Sequence, residues 1–299
     1  MTSPRFRYHQ IAFALLLLLG IGTSGVTLAD SELAIGGYDP LTYFDPTNDQ
    51  PRLGDAMYSL EHEGAEYRFI SSENATRFGM APEDYAPAFG GADPVRLAGG
   101  STAEADATIY CVIDGGLYLF ESKKNRERWL RSFDSLAPAA ISAWVDAGNP
   151  EPTALLASIH DRNSGKHLTK KGVGAGGYDP VAYFPEGGGK PIKGSKKFEV
   201  EYRGVTHRFA SAVNRERFLQ QPTRYEPAYG GWCAYAIAHE DYTKPNPKRF
   251  LIQGDRLLLF YDGIAGDTYK RWHKEGTSKL EAQADVWWGL ETGESTGIK

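Results

Sequence analysis

Between residues 198 and 209 apolar and polar positions alternate. Phe198-Glu199-Val200-Glu201-Tyr202 reads as a half-buried strand. Arg203-Gly204 turns it and Val205-Thr206-His207-Arg208-Phe209 returns, so the pattern predicts a hairpin. Ser211 is placed to cap a helix over 212–220 with Phe218 on its buried face. Pro222 opens a short turn into Tyr225-Glu226-Pro227, and Gly230-Gly231 breaks the chain before Trp232-Cys233-Ala234-Tyr235. Residues 249–252 and 257–261 flank Gln253-Gly254-Asp255-Arg256 as a second hairpin, and two helices follow near 267–274 and 278–288. Period-two segments come in pairs and do not alternate singly with helices. This predicts an α+β fold of antiparallel hairpins with packed helices and argues against a doubly wound parallel sheet.

The same pattern occurs twice. Gly36-Gly37-Tyr38-Asp39-Pro40 and the Tyr43-Phe44 after it return as Gly176-Gly177-Tyr178-Asp179-Pro180 and Tyr183-Phe184, an offset of 140. Without a gap, that offset carries Arg68-Phe69 onto Arg208-Phe209, Ser71 onto Ser211, Phe78 onto Phe218 and Gly90-Gly91 onto Gly230-Gly231. It later grows to 143, pairing Trp129 with Trp272 and Trp144 with Trp287. Two tandem copies of one small domain are therefore expected, at 30–148 and 174–290. The linker at 149–173 runs through Gly148-Asn149-Pro150 to Lys170-Lys171-Gly172, and 291–299 is a tail.

Ahead of the first copy, Arg5 and Arg7 precede an apolar run over 11–21, and Thr27-Leu28-Ala29 suits a signal peptidase. Residues 1–29 read as a secretory signal, with an uncleaved anchor as the alternative. The run is shorter than the ~20 residues of a bilayer span. The remaining chain is expected to be exported, most simply to a periplasm, with no later membrane span. Charge divides between the copies: residues 30–150 carry −11 and residues 151–299 carry +4, which favours packing of one on the other. No basic run with interleaved aromatics points to nucleic acid.

Candidate chemistry gathers after the second Gly-Gly pair. Cys233 is flanked by His239 six residues on and by His207 on the return strand, a thiolate and two imidazoles that suit copper or zinc. The first copy has Asp93, Gly99 and Tyr67 at these positions, so such a site would exist only once. Tyr229, Trp232 and Tyr235 crowd the same segment and are candidates to line a small-molecule pocket or to form a core seam. Cys111 aligns with Leu251 and reads as core filler, and a Cys111–Cys233 bridge stays open. There is no nucleophile elbow, His-x-x-x-His pair or phosphate-binding glycine loop, so no catalytic residues are assigned.

Gly177-Tyr178-Asp179-Pro180-Val181-Ala182-Tyr183-Phe184, Phe209-Ala210-Ser211-x-x-Asn214-Arg215-x-x-Phe218 and Tyr225-x-Pro227-x-Tyr229-Gly230-Gly231-Trp232-Cys233-Ala234 resemble the exported YHS-domain proteins. The first copy resembles them more weakly. The Tyr-His-Ser signature falls on Tyr202, His207 and Ser211; of these only Ser71 persists in the first copy. The resemblance implies a non-enzymatic binding module, and the wider group is associated with heavy metals held by two Cys at the helix start. Ala210 and Asn214 stand at those places here, and Ile70 and Asn74 in the first copy, so that thiol pair is absent. Three readings follow: a binding protein with a copper, zinc or small-ligand site in the second copy, an interaction protein whose site has eroded, or a Cys-dependent enzyme using Cys233 with His207 or His239.

Overall fold

In the computed structural model, which describes residues 32–47, 50–152 and 164–294, the fold is α+β. The signal segment at 1–29 and most of the tail lie outside the described residues.

One local architecture occurs four times. Each module begins at a Gly-Gly kink, passes through a short helical turn, makes an antiparallel hairpin and ends in a helix. The four hairpins are β2 (Asp55–His62) with β3 (Ala65–Phe69), β4 (Asp106–Ile113) with β5 (Gly116–Phe120), β6 (Ser195–Tyr202) with β7 (Val205–Phe209), and β8 (Asn246–Gln253) with β9 (Arg256–Phe260). All share one register irregularity: Asp55 faces Phe69, yet the next partners are Ser59 and Arg68, and the same jump follows Asp106, Ser195 and Asn246. A bulge of this kind bends the strand over what lies beneath it. Gly54 and Gly194 stand at its start because a Cβ would meet the backbone of Arg68 at 2.3 Å or of Arg208 at 2.4 Å. A two-residue strand, β1 (Glu32–Leu33), adds in parallel to β3.

The closing helices are α1 (Ser72–Met80), α3 (Lys123–Arg131), α5 (Ala212–Gln220) and α8 (Thr268–Glu275). Ser71, Ser122 and Ser211 cap the first three by accepting the backbone N–H three residues on, and Asp267 caps the fourth. Between the hairpins lie α2 (Pro94–Ala98), α4 (Phe133–Asp146), α6 (Pro222–Tyr225) and α7 (Ala234–Ile237). The last helix, α9, runs over Thr277–Thr292, two residues into the expected tail. A further short hairpin, Asp262–Gly263 with Gly266–Asp267, is inserted before α8.

The 140-residue repeat is thus itself two modules long. Its inner spacing is legible afterwards: Gly90-Gly91-Ala92-Asp93-Pro94 repeats Gly36-Gly37-Tyr38-Asp39-Pro40 after 54 residues.

The two sequence copies are not separate bodies. From Glu32 onward the chain forms one compact unit. Its largest hydrophobic cluster joins Cys111, Trp129, Leu130 and Phe133 of the first copy to Val200, Phe209, Phe218 and Leu219 of the second. This junction is between the second and third modules, and ion pairs frame it reciprocally. Arg126 Nη2 lies 2.8 Å from Glu216 Oε1, and Arg215 Nη2 lies 2.8 Å from Glu127 Oε1. Asn125-Arg126-Glu127-Arg128-Trp129 and Asn214-Arg215-Glu216-Arg217-Phe218 occupy equivalent helix positions, so each Arg meets the Glu of the other, the signature of a local two-fold contact. Residues 164–173, expected to be linker, lie on the second copy: Val173 pairs with Thr206 and Lys166 O accepts from Trp232 Nε1. Residues 153–163 of that expected linker lie outside the described residues.

Candidate functional site

Each Gly-Gly kink delivers one side chain to the centre of its module. In the third module this is Asp179, fully buried. Its Oδ1 accepts from the Val181 and Ala182 backbone N–H groups at 2.9 and 3.2 Å. Its Oδ2 accepts from Ala210 N at 2.8 Å and Asn214 Nδ2 at 2.7 Å. One carboxylate thereby ties the opening turn, the end of the hairpin and the first turn of α5 together. Asp39 does the same with Leu41 N, Ile70 N and Asn74 Nδ2, and Asp93 with Val95 N, Arg96 N, Glu121 N and Asn125 Nδ2.

The two positions where the YHS resemblance would place thiols, Ala210 and Asn214, are two of the donors to Asp179. The donor set at that place is a satisfied carboxylate ringed by N–H groups, with no sulfur, and a heavy metal does not fit it.

Cys233 holds the fourth keystone position. It is fully buried, its Sγ accepts from Tyr261 N at 3.3 Å, and Thr268 Oγ1 lies 3.3 Å away. Tyr261 and Thr268 correspond to the N–H and side-chain donors around the three aspartates. His239 is far more open, with its side chain 46% exposed; its Nδ1 lies 2.8 Å from Tyr235 O and its ring stacks on Tyr235 at 4.3 Å. His207 faces a different neighbourhood. The structure does not bring the expected ligands Cys233, His239 and His207 together, and among the described residues no three His, Cys, Asp or Glu side chains converge closely enough to hold a metal as they stand.

Tyr229, Trp232 and Tyr235 likewise point to separate partners. Tyr229 is buried, donates to Asp285 Oδ1 at 2.9 Å and lies under Arg256; Trp232 stacks on Tyr242; Tyr235 donates to Glu275. They line no common pocket among the described cavities; the groove beside them is walled by Ala238, Val286, Trp287 and Leu290.

The thiols give a direct check on this placement. Both cysteines are buried and free, and burial pushes the Cys111 thiol far above its ordinary range. Native protein should therefore show no thiol reactive toward Ellman's reagent at pH 7–8, and two after denaturation. Rapid modification of Cys233 in the native state would restore the enzyme reading.

A chain of pairwise contacts between imidazoles and carboxylates lies elsewhere in the second copy. On β7 the alternation turns Val205, His207 and Phe209 inward. His207 is 2% exposed, stacks on Phe218 at 4.8 Å, and neither of its ring nitrogens has a hydrogen-bond partner. Glu226 Oε1 lies 3.6 Å from His207 Nε2 and 3.8 Å from His167 Nδ1. The opposite nitrogen of His167, Nε2, lies 2.6 Å from Glu294 Oε1, and Trp288 Nε1 donates to Glu294 Oε2 at 2.8 Å. His167 is pressed onto the Gly-Gly kink: a Cβ at Gly230 would lie 2.8 Å from His167 Cγ. Gly230, at φ +56°, also accepts Leu168 N–H.

The first copy has no counterpart. Tyr67 and Ala86 replace His207 and Glu226. Burial, aided by Glu63, holds the Tyr67 hydroxyl at about 12, so it offers no ligand anion near neutrality. Of this cluster only His207 was marked by the sequence, as an imidazole on the inward face of a strand. His167, Glu226 and Glu294 carry no such signal, because the chain around them is irregular and only the tertiary fold unites them.

Compared with known proteins, the chain matches no family model, no curated protein and no solved structure.

Proposed function

We propose that this chain is an exported, non-enzymatic binding protein of the YHS type, whose ligand centre is His207, Glu226 and His167 in the second copy. The observation that carries the reading is His207: a buried imidazole neither of whose ring nitrogens makes a hydrogen bond among the described residues, with Nε2 3.6 Å from a carboxylate oxygen that a second imidazole also faces. Buried polar groups are normally satisfied, and one left open beside two potential ligands points to a missing partner. The arrangement of Cys233, sealed between Tyr261 and Thr268, supports a structural role for the thiol and speaks against the Cys-dependent enzyme.

Two imidazoles and a carboxylate suit zinc or copper(II). In a tetrahedral zinc shell with bonds of about 2.0–2.1 Å, donors stand about 3.4 Å apart. Glu226 Oε1 stands 3.6 Å from His207 Nε2 and 3.8 Å from His167 Nδ1, which makes it the shared member of the proposed set, and metal binding would have to draw the three together. No helix among the described residues is long and apolar enough to cross a membrane, and export rests on the Arg5, Arg7 and 11–21 pattern.

Calorimetric titration of untagged protein with zinc, and separately with copper(II), tests this. One equivalent should bind. Glu226→Gln and His207→Ala should weaken binding at least tenfold, and Cys233→Ala should leave it unchanged. Absence of binding by wild-type protein, or loss of binding only in Cys233→Ala, removes the proposal.

A further inference from the structure

The contact between the second and third modules leaves its two counterparts open at the ends of the chain. In the third module Val200 and Leu219 are buried in the cluster shared with the second, and Gln220 is buried next to Leu219; the equivalent positions of the first module are Leu60, Gly79 and Met80, all exposed, with Met80 80% exposed. Met57, on the same strand as Leu60, is 77% exposed. In the second module Leu130 is fully buried against the third; its equivalent in the fourth module, His273, is exposed. Tyr269 and Lys270 stand there where Arg126 and Glu127 make the reciprocal ion pairs.

The segments that carry these two open faces have opposite net charge. Residues 55–80 hold five acids and two bases, whereas residues 246–275 hold six bases and four acids, with Lys270, Arg271 and Lys274 exposed. A first-module face meeting its own copy would oppose like charges, but meeting the fourth-module face of another chain it would oppose unlike ones.

We propose that the exposed first-module face, Leu60 and Met80 with Met57, docks on the α8 face of the fourth module of a second copy of this chain, repeating between chains the contact that joins modules two and three within one. Stacked repeats bury apolar faces in this way, and a contact between non-identical faces is head-to-tail, so it extends beyond a dimer. The proposal is independent of the imidazole centre and stands or falls without it.

Sedimentation velocity of the purified chain tests it. Wild-type protein should show a weight-average mass that rises with concentration past that of a dimer, and falls back in high salt as the charge attraction is screened. Leu60→Lys with Met80→Lys closes the first face, and Lys270→Glu with His273→Glu closes the fourth. All four positions are at the surface, and circular dichroism checks that each variant is folded. Each double variant alone should be a monomer, and an equimolar mixture should give a 1:1 dimer and nothing larger. Wild-type protein that stays monomeric at hundreds of micromolar overturns the proposal. So does dimerisation of the Lys270→Glu, His273→Glu variant by itself, which would mean that the first face meets its own copy.

Discussion

Replacing Asp179 with Ala is expected to destabilise the protein by about 4 kcal/mol. The substitution removes the acceptor of four hydrogen bonds at once. The Val181, Ala182 and Ala210 N–H groups and Asn214 Nδ2 are left pointing into a space closed to solvent. Each buried donor without a partner costs about 1–3 kcal/mol, and the total falls below four such terms only as far as water can follow. For a unit of this size that corresponds to a melting temperature lower by roughly 10 °C. Asp39→Ala and Asp93→Ala should behave similarly. Cys233→Asp should be far milder, within about 1–2 kcal/mol. Tyr261 N already faces the position as a donor, and a carboxylate there can also cap α7, whose first turn has no side-chain cap. Thermal unfolding by circular dichroism measures all four. An Asp179→Ala protein that melts within 2 °C of wild type would falsify the keystone role.

The second large effect is expected at Glu216. Its partner Arg126 is only 1% exposed and also donates from Nη1 to Tyr110 O at 3.2 Å. Removing the carboxylate by Glu216→Ala strands a buried guanidinium, a change that costs about 3 kcal/mol when one partner of such a pair is deleted. The reciprocal pair is chemically the same but more open, with Arg215 at 26% and Glu127 at 44% side-chain exposure. Solvent screens it, and Glu127→Ala should cost about 0.5 kcal/mol. Denaturant unfolding of both variants, with Arg126→Ala and the double variant to complete the cycle, reads the difference. Equal losses at Glu216 and Glu127 would show that burial does not set the strength of this contact. A coupling energy near zero between Arg126 and Glu216 would show that the pair does not hold the junction.

Much of the fold was legible in the sequence because it is written in local chemistry. Arg203-Gly204 at a break in alternation marks a two-residue turn, and in three of the four hairpins both turn residues adopt positive φ. Ser211, three residues before Asn214, marks a helix start, and α5 begins there. The bulges were not legible, because a register jump of three extra residues on one strand leaves the composition on either side unchanged. The finer repeat was hidden by substitution at its most informative position: Cys233 replaces the aspartate that would have shown the fourth module to be like the other three.

That same substitution misdirected the site. A lone Cys beside Gly-Gly and near two histidines has the composition of a metal centre. In the fold, Cys233 fills a keystone position, His239 lies at the surface, and only His207 belongs to a cluster of possible ligands. His207 could be picked out because a strand alternation says which way a residue faces. Glu226 and His167 could not, since they lie on irregular chain that sequence periodicity does not orient.

The central claim is that imidazole and carboxylate side chains, not a cysteine, form the ligand centre. X-ray absorption on wild-type protein loaded with one equivalent of zinc decides this directly. The His207–Glu226–His167 centre predicts a shell of nitrogen and oxygen only, at about 2.0–2.1 Å, with imidazole multiple scattering. A sulfur scatterer at about 2.3 Å would instead place the metal on a cysteine and contradict the keystone assignment of Cys233.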